Sequence, residues 1–177
     1  MKTLSALLAI LLLPAITFAQ KMLEPQIDGF THEVTISTEA YSIASEGENY
    51  IVSYFTRTNK VYYLNLRIDL LHENHDAYTI SAGSNVLFKL ANDSLITLPI
   101  VKNMAAEAKD IRDGYYTFTY WSVTIVLPLT REDIYRIAQT DKTGIRIEAN
   151  ESNIDFGIQP KQSLYLKKQA ALILAQP

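Results

Sequence analysis

The stretch Val61–His72, VYYLNLRIDLLH, decides the fold because apolar and polar side chains alternate along it. The apolar members of the alternation are Tyr62, Leu64, Leu66, Ile68 and Leu70. The residues between them, Tyr63, Asn65, Arg67 and Asp69, are mostly polar. Successive side chains of a strand point to opposite faces, so this pattern predicts a strand with one face in the core and one in water.

The strand has a partner immediately before it. Tyr50–Thr56 is rich in β-branched and aromatic residues, and only Arg57–Lys60 separates the two runs. Asn59 suits a tight turn, so the two runs predict a long antiparallel hairpin. A second hairpin is predicted from Val86–Leu90 and Leu95–Leu98. Between them Asn92 and Asp93 tolerate the left-handed backbone angles of a two-residue reversal.

Tyr115–Leu127 predicts another long strand, apolar or aromatic on both faces towards its end, with Pro128 as its stop. Thr130 then resembles a helix N-cap followed by acids in the first turn, which predicts a helix of about two turns. Ile145–Glu148 alternates again and predicts a short strand.

The segment after Pro160 changes to a helical period. The residues that share one face of this predicted C-terminal helix are Leu164, Lys168, Ala171, Leu172 and Ala175. For residues 101–113 both a short helix and a loop are compatible with the sequence, and Met104–Lys109 favours helix by intrinsic propensity.

These patterns predict a mainly β fold: an antiparallel β-sandwich or half-open barrel of about seven or eight strands. One short internal helix and a C-terminal helix complete it, in a single β-sandwich-like domain over residues 20–177. The chain has no cysteine, which removes disulfides, thiolate zinc sites and thiol catalysis.

The first residues have the three parts of a secretory signal peptide. Lys2 is followed by the apolar run Leu4–Leu13, then by Pro14 and by the small residue Ala19. A membrane-spanning helix would need about 20 continuous apolar residues. We therefore predict that residues 1–19 are a signal peptide, with a periplasmic or extracellular product that has no membrane span after cleavage. Without cysteine, the product is not a lipoprotein.

The charge of the chain argues against nucleic acid as a partner. The formal net charge of −3 becomes −4 once Lys2 is removed with the leader, whereas nucleic-acid binding calls for a basic footprint. No polybasic patch for anionic lipid is present either.

Histidines and acids offer weak signals for chemistry. The segment His72–His75 places two histidines three residues apart, one short of the spacing in a zincin helix. A metal site in a loop would need Asp76 as a third ligand. The simpler interpretation is a polar, exposed turn. The acid pairs Glu46/Glu48, Glu73/Asp76 and Glu132/Asp133 could serve glycoside hydrolysis. All lie in predicted turns or at a helix start, where acids are expected. No catalytic residue, metal or cofactor is predicted.

The aromatic residues predict a contact surface. Eleven tyrosines are present, and five aromatic residues are concentrated on one strand: Tyr115, Tyr116, Phe118, Tyr120 and Trp121. The contact surface is predicted at Tyr115, Tyr116, Tyr120 and Trp121. Such rings combine an apolar face with a hydrogen-bonding edge, which suits sugar or protein surfaces. The alternative is that they are core and cross-strand pairs, because strands favour aromatics.

Three segments carry a resemblance to a group of proteins. Phe88–Leu98, Leu129–Ile134 and Gly144–Glu148 resemble small exported β-rich proteins of unassigned function from Gram-negative gut-type bacteria. The resemblance covers about residues 85–174. It implies a sandwich-like domain with a short helix between late strands, and it brings no catalytic residues.

The function expected from the sequence is a non-catalytic binding or interaction module for an unknown protein or glycan. Two alternatives remain open. One is a hydrolase of envelope or dietary polymers, which requires a cleft with convergent titratable groups. The other is an assembly partner that lends a sheet edge to another chain.

Overall fold

The computed structural model describes residues 21–71, 76–113 and 115–176, without the side chains of Ile111, Asp113 and Tyr116. The predicted leader, the His72–His75 turn and the Tyr116 side chain lie outside the described residues. These residues form thirteen strands and two helices: β1 (Gln26–Ile27), β2 (Val34–Ser37), β3 (Tyr41–Glu46), β4 (Asn49–Thr58), β5 (Val61–Leu71), β6 (Thr79–Ile80), β7 (Asn85–Leu90), β8 (Leu95–Pro99), β9 (Met104–Ala105), β10 (Glu107–Asp113), β11 (Tyr116–Leu129), α1 (Arg131–Gln139), β12 (Lys142–Ile147), β13 (Ile154–Gly157) and α2 (Pro160–Leu174).

The larger sheet has seven strands and curls into an antiparallel half-barrel. Its order is β1-β2-β4-β5-β11-β10, and β3 pairs with the part of β4 that β2 leaves open. The predicted hairpin of β4 and β5 is confirmed, with Tyr54 opposite Asn65. Asn59 occupies its turn with φ 56°, the left-handed conformation that asparagine tolerates.

A four-stranded sheet, in the order β13-β12-β7-β8, faces the larger one across a shared core. Its hairpin of β7 and β8 is the second one predicted, and Asp93 in the turn has φ 63°. The two short strands β6 and β9 pair separately. The alternation of β5 sets the core, because Leu64, Leu66 and Ile68 are fully buried on its inner face.

Helix α2 packs against β3, β4 and β12, and α1 packs against α2. The predicted class is therefore confirmed: a mainly β fold with one internal helix and a C-terminal helix. Helix α1 begins where predicted. Thr130 Oγ1 accepts a hydrogen bond from Asp133 N at 3.1 Å, and the Asp133 carboxylate accepts one from Thr130 N at 3.0 Å. This reciprocal capping satisfies amide groups that the first turn leaves open.

Pro128 does not end β11, contrary to the prediction. The strand continues to Leu129, and Pro128 pairs with Tyr63 of β5. On the other side of β11, strand β10 pairs with it only as far as Ser122. Among the described residues, Pro128 therefore has no neighbouring strand on that side. A proline is tolerated in a strand where its missing N–H faces no partner.

Two further predictions were wrong. The segment after residue 103 is neither the short helix nor the loop: it forms β9 and β10, because pairing of β9 with β6 and of β10 with β11 overrides the weak helical propensity. The buried face of α2 also differs from the predicted one: it consists of Ser163, Leu166, Gln169, Ala170 and Ile173, and Leu164 is 46% exposed. The pattern of apolar residues predicted the wrong face because two residues of the buried face, Ser163 and Gln169, are polar.

Candidate functional site

The four aromatic residues predicted as a contact surface lie in different environments. Tyr115 is fully exposed in the turn before β11, whereas Tyr120 is buried on the outer face of the large sheet. There its ring meets Tyr50 edge-on, with centroids 5.8 Å apart. Trp121 points the other way and packs partly against the core. Since the side chain of Tyr116 lies outside the described residues, no shared exposed surface is seen for these rings.

A cleft of about 650 Å³ opens at one end of the half-barrel. Four segments form it: the turn between β3 and β4, the end of β5, residues 76–78 and the loop that leads into β13. The residues that line it are Glu46, Asn49, Leu70, Asp76, Ala77, Tyr78, Glu151, Ser152, Asn153, Ile154, Asp155 and Phe156. The volume lies within the range of about 300–1,000 Å³ that is usual for ligand pockets.

The floor of the cleft is apolar. Leu70, Tyr78, Ile154 and Phe156 are all buried and belong to the core cluster, so the floor is fixed by the packing of both sheets. Burial raises the pKa of the Tyr78 hydroxyl, and the nearby charge of Asp69 acts in the same direction. The hydroxyl therefore stays protonated and points to the backbone oxygen of Ile68 at 3.5 Å.

Two of the four carboxylates around the cleft are held by the fold. Glu151 accepts hydrogen bonds from Thr79 N at 2.8 Å and Thr79 Oγ1 at 2.9 Å. The backbone bond lowers the pKa of Glu151, so this group is ionised. Asp155 accepts two bonds from the Arg146 guanidinium, at 2.7 and 2.9 Å.

The other two carboxylates, Glu46 and Asp76, are exposed on the rim. Among the described residues, neither has a hydrogen-bond or ion-pair partner. The described lining contains no lysine, arginine or histidine. In the part that the structure describes, the rim of the cleft is therefore negative above an apolar floor.

The sequence offered part of this site. Glu46 and Asp76 were noted as acids in turns, but each in a different pair, and the loop of Glu151 and Asp155 was not singled out. Asp133, from the third pair, is used in the cap of α1. Within residues 21–71, 76–113 and 115–176, no group of three acids or histidines is arranged to hold a metal ion.

Comparison with protein-family models, curated proteins and solved structures gave no match for this chain. Neither α1 nor α2, the helices of the described part, is long and apolar enough to cross a membrane.

Proposed function

We propose that this chain is an exported, non-catalytic binding module that holds its ligand in the end cleft. The observation that carries the proposal is the combination of a buried apolar floor with two rim carboxylates, Glu46 and Asp76, that the described residues leave uncompensated. Concave, mostly apolar sites with a few convergent polar groups are the usual form of a ligand site.

The charge of the rim favours a cationic ligand over a neutral glycan. A negative cleft with low-dielectric walls concentrates positive charge and speeds the association of cationic partners. The apolar floor favours a ligand that also carries an apolar group. A protein segment with lysine or arginine next to an aromatic residue has both properties, so the proposed partner is a protein.

The two alternatives from the sequence have less support. A hydrolase needs a general acid whose pKa is raised towards neutrality, whereas the pKa of Glu151 is lowered, and Asp155 is held by Arg146. An assembly partner needs an open sheet edge. The edge strand β10 carries Glu107, Lys109, Asp110 and Arg112, and charges on an edge strand oppose pairing with another chain.

Export has its own test. We expect the mature protein to be found in the periplasm or the medium. Its first residue should be Gln20, because cleavage of a signal peptide follows a small residue, here Ala19. Mass spectrometry of the intact protein from each cell fraction measures this. A cytosolic product that keeps residues 1–19 would contradict the export proposal and leave the cleft proposal standing.

Binding in the cleft is tested with two tripeptides. Acetyl-Lys-Phe-Lys-amide should shift the amide NMR signals of the cleft, whereas acetyl-Glu-Phe-Glu-amide should not, because the rim repels it. Glu46→Lys should weaken binding of the basic peptide about tenfold, as expected when attraction becomes repulsion. Glu24→Lys makes the same change of net charge at an exposed position outside the cleft and should leave binding unchanged. Equal binding of both peptides, or equal effects of both substitutions, would refute the proposal.

A further inference from the structure

The end of the molecule opposite the cleft has the reverse chemistry. Strands β4 and β5 run the length of the sheet: Asn49 and Leu70 lie at the cleft, and Arg57 and Lys60 lie at the other end. A second recess of about 570 Å³ opens there, lined by Arg57, Asn59, Lys60, Tyr62, Arg131 and Gln176. Its described lining contains three cationic side chains and no acidic one.

An aromatic residue protrudes beside these cations. Phe30, in the turn between β1 and β2, is 98% exposed, and its neighbours Ile27 and Val34 are 67% and 43% exposed. The turn is held by Asp28, whose carboxylate accepts hydrogen bonds from Phe30 N at 2.8 Å and Thr31 N at 2.7 Å. Grouped exposed apolar side chains are typical of interaction sites. Here the hydrogen bonds hold the backbone of the turn from which the Phe30 ring projects.

The turn of Phe30 and the turn of Lys60 belong to one end surface. Asn59 N donates to the backbone oxygen of Val34 at 3.2 Å, and Asn59 Nδ2 donates to the Glu33 carboxylate at 3.1 Å. Two acids also lie on this surface, Asp28 and Glu33, and the hydrogen bonds that they accept come from neutral amides, which do not offset a carboxylate charge. The three cationic side chains of the recess exceed these two acids by one. The ammonium group of Lys60 has no hydrogen-bond partner among the described residues.

The surface and the cleft cannot meet within one molecule. Strand β4 has ten residues, which separates its ends by about 30 Å at the usual rise of a strand. We therefore propose that the partner of the cleft is a second copy of this chain. The copy places Phe30 on the apolar floor and Lys60 at the rim carboxylates. This inference rests on the proposed binding role of the cleft.

Such a contact joins two different surfaces, so each added copy leaves one cleft and one Phe30 surface open. Contacts of this heterologous kind build open chains unless the rotation between copies closes a ring. The opposite charges of the two surfaces orient the copies head to tail, and the apolar ring supplies the area removed from water.

Sedimentation velocity of the purified protein tests the inference. The mean mass should rise with concentration at 50 mM salt and fall towards the monomer at 500 mM, because exposed charges are screened. Phe30→Ala should weaken association at least tenfold. Leu164→Ala removes another exposed apolar side chain, on α2 and outside the described lining of both the cleft and the recess, and should leave association unchanged. A monomer at every concentration would overturn the inference.

Mixing two variants separates head-to-tail contact from other association. Glu46→Lys alters only the cleft. The double variant Phe30→Ala and Lys60→Ala alters only the opposite surface. Each should be monomeric alone, and an equimolar mixture should form one-to-one dimers and stop there. If the mixture stays monomeric while the wild type associates, the contact is not head to tail and the inference fails. If the wild type is monomeric but binds the basic tripeptide, the proposed function survives without this partner.

Discussion

Gln169→Met is expected to lower the free energy of unfolding by about 3 kcal/mol, with a fall in Tm of about 6–12 °C. The side chain is fully buried in α2 and joins the helix to the large sheet. Its Oε1 accepts a hydrogen bond from Ser53 Oγ at 2.6 Å. Its Nε2 donates to the backbone oxygens of Glu39 at 2.7 Å and Ser53 at 2.8 Å. Methionine fills the space but leaves these polar groups without their partner, and each unsatisfied buried group costs about 1–3 kcal/mol.

Thermal and urea unfolding of the variant measure this loss. Gln139→Met makes the same exchange on an exposed residue of α1 and should stay within about 0.5 kcal/mol of the wild type. Ser53→Ala combined with Gln169→Met should cost less than the two single changes added together, because each removes the partner of the other. If Gln169→Met and Gln139→Met have equal effects, the buried hydrogen bonds of Gln169 add nothing measurable to stability, and the prediction fails.

Gln169 also marks a limit of sequence reading. The alternation in β5 and the turn signals at Asn59 and Asp93 predicted both main hairpins, because strand period and turn chemistry are local properties. A helical residue that is polar but buried contradicts the local pattern. Its place depends on Ser53, 116 residues away in the chain. The apolar residues of α2 alone therefore pointed to the wrong face.

The cleft was beyond prediction for a related reason. Glu46, Asp76 and Glu151 come from three turns that are remote in sequence, and only the closure of the two sheets brings those turns to one end. The charge pattern of each turn is unremarkable alone, since acids are common in turns. At the opposite end, Lys60 lies in a turn that the sequence predicted, whereas no prediction was made for the turn of Phe30.

Lys142 is the other buried polar residue with a large expected effect. It is almost fully buried at the start of β12, and its ammonium group donates to the backbone oxygens of Ile137 and Thr140 at the end of α1. A cation suits the C-terminal carbonyls of a helix. Burial nevertheless disfavours the charge and lowers the pKa of Lys142 to about 7, and the neighbouring Lys167 acts in the same direction.

This lowered pKa predicts a stability that rises with pH. Below pH 7 the lysine is protonated in both the folded and the unfolded state, and the folded state bears the full cost of the buried charge. Between pH 7 and 10.5 the unfolded chain binds more protons than the folded one, so the free energy of unfolding increases with pH. From pH 7 to 9.5, below the titration of the tyrosines, the gain should be about 3 kcal/mol.

Urea unfolding across this range, with three proteins, isolates the contribution of one residue. Lys142→Met should remove the rise, because methionine keeps most of the volume and has no proton to lose. Lys102→Met changes an exposed lysine and should keep the rise. The NMR signal of the Lys142 ε-carbon should titrate near pH 7 in the folded wild type. A rise that persists in Lys142→Met would mean that other groups cause it, and the prediction fails. An ε-carbon that titrates near pH 10.5 would mean that the carbonyls of Ile137 and Thr140 compensate the buried charge fully. Lys142 would then be an ordinary charged cap of α1.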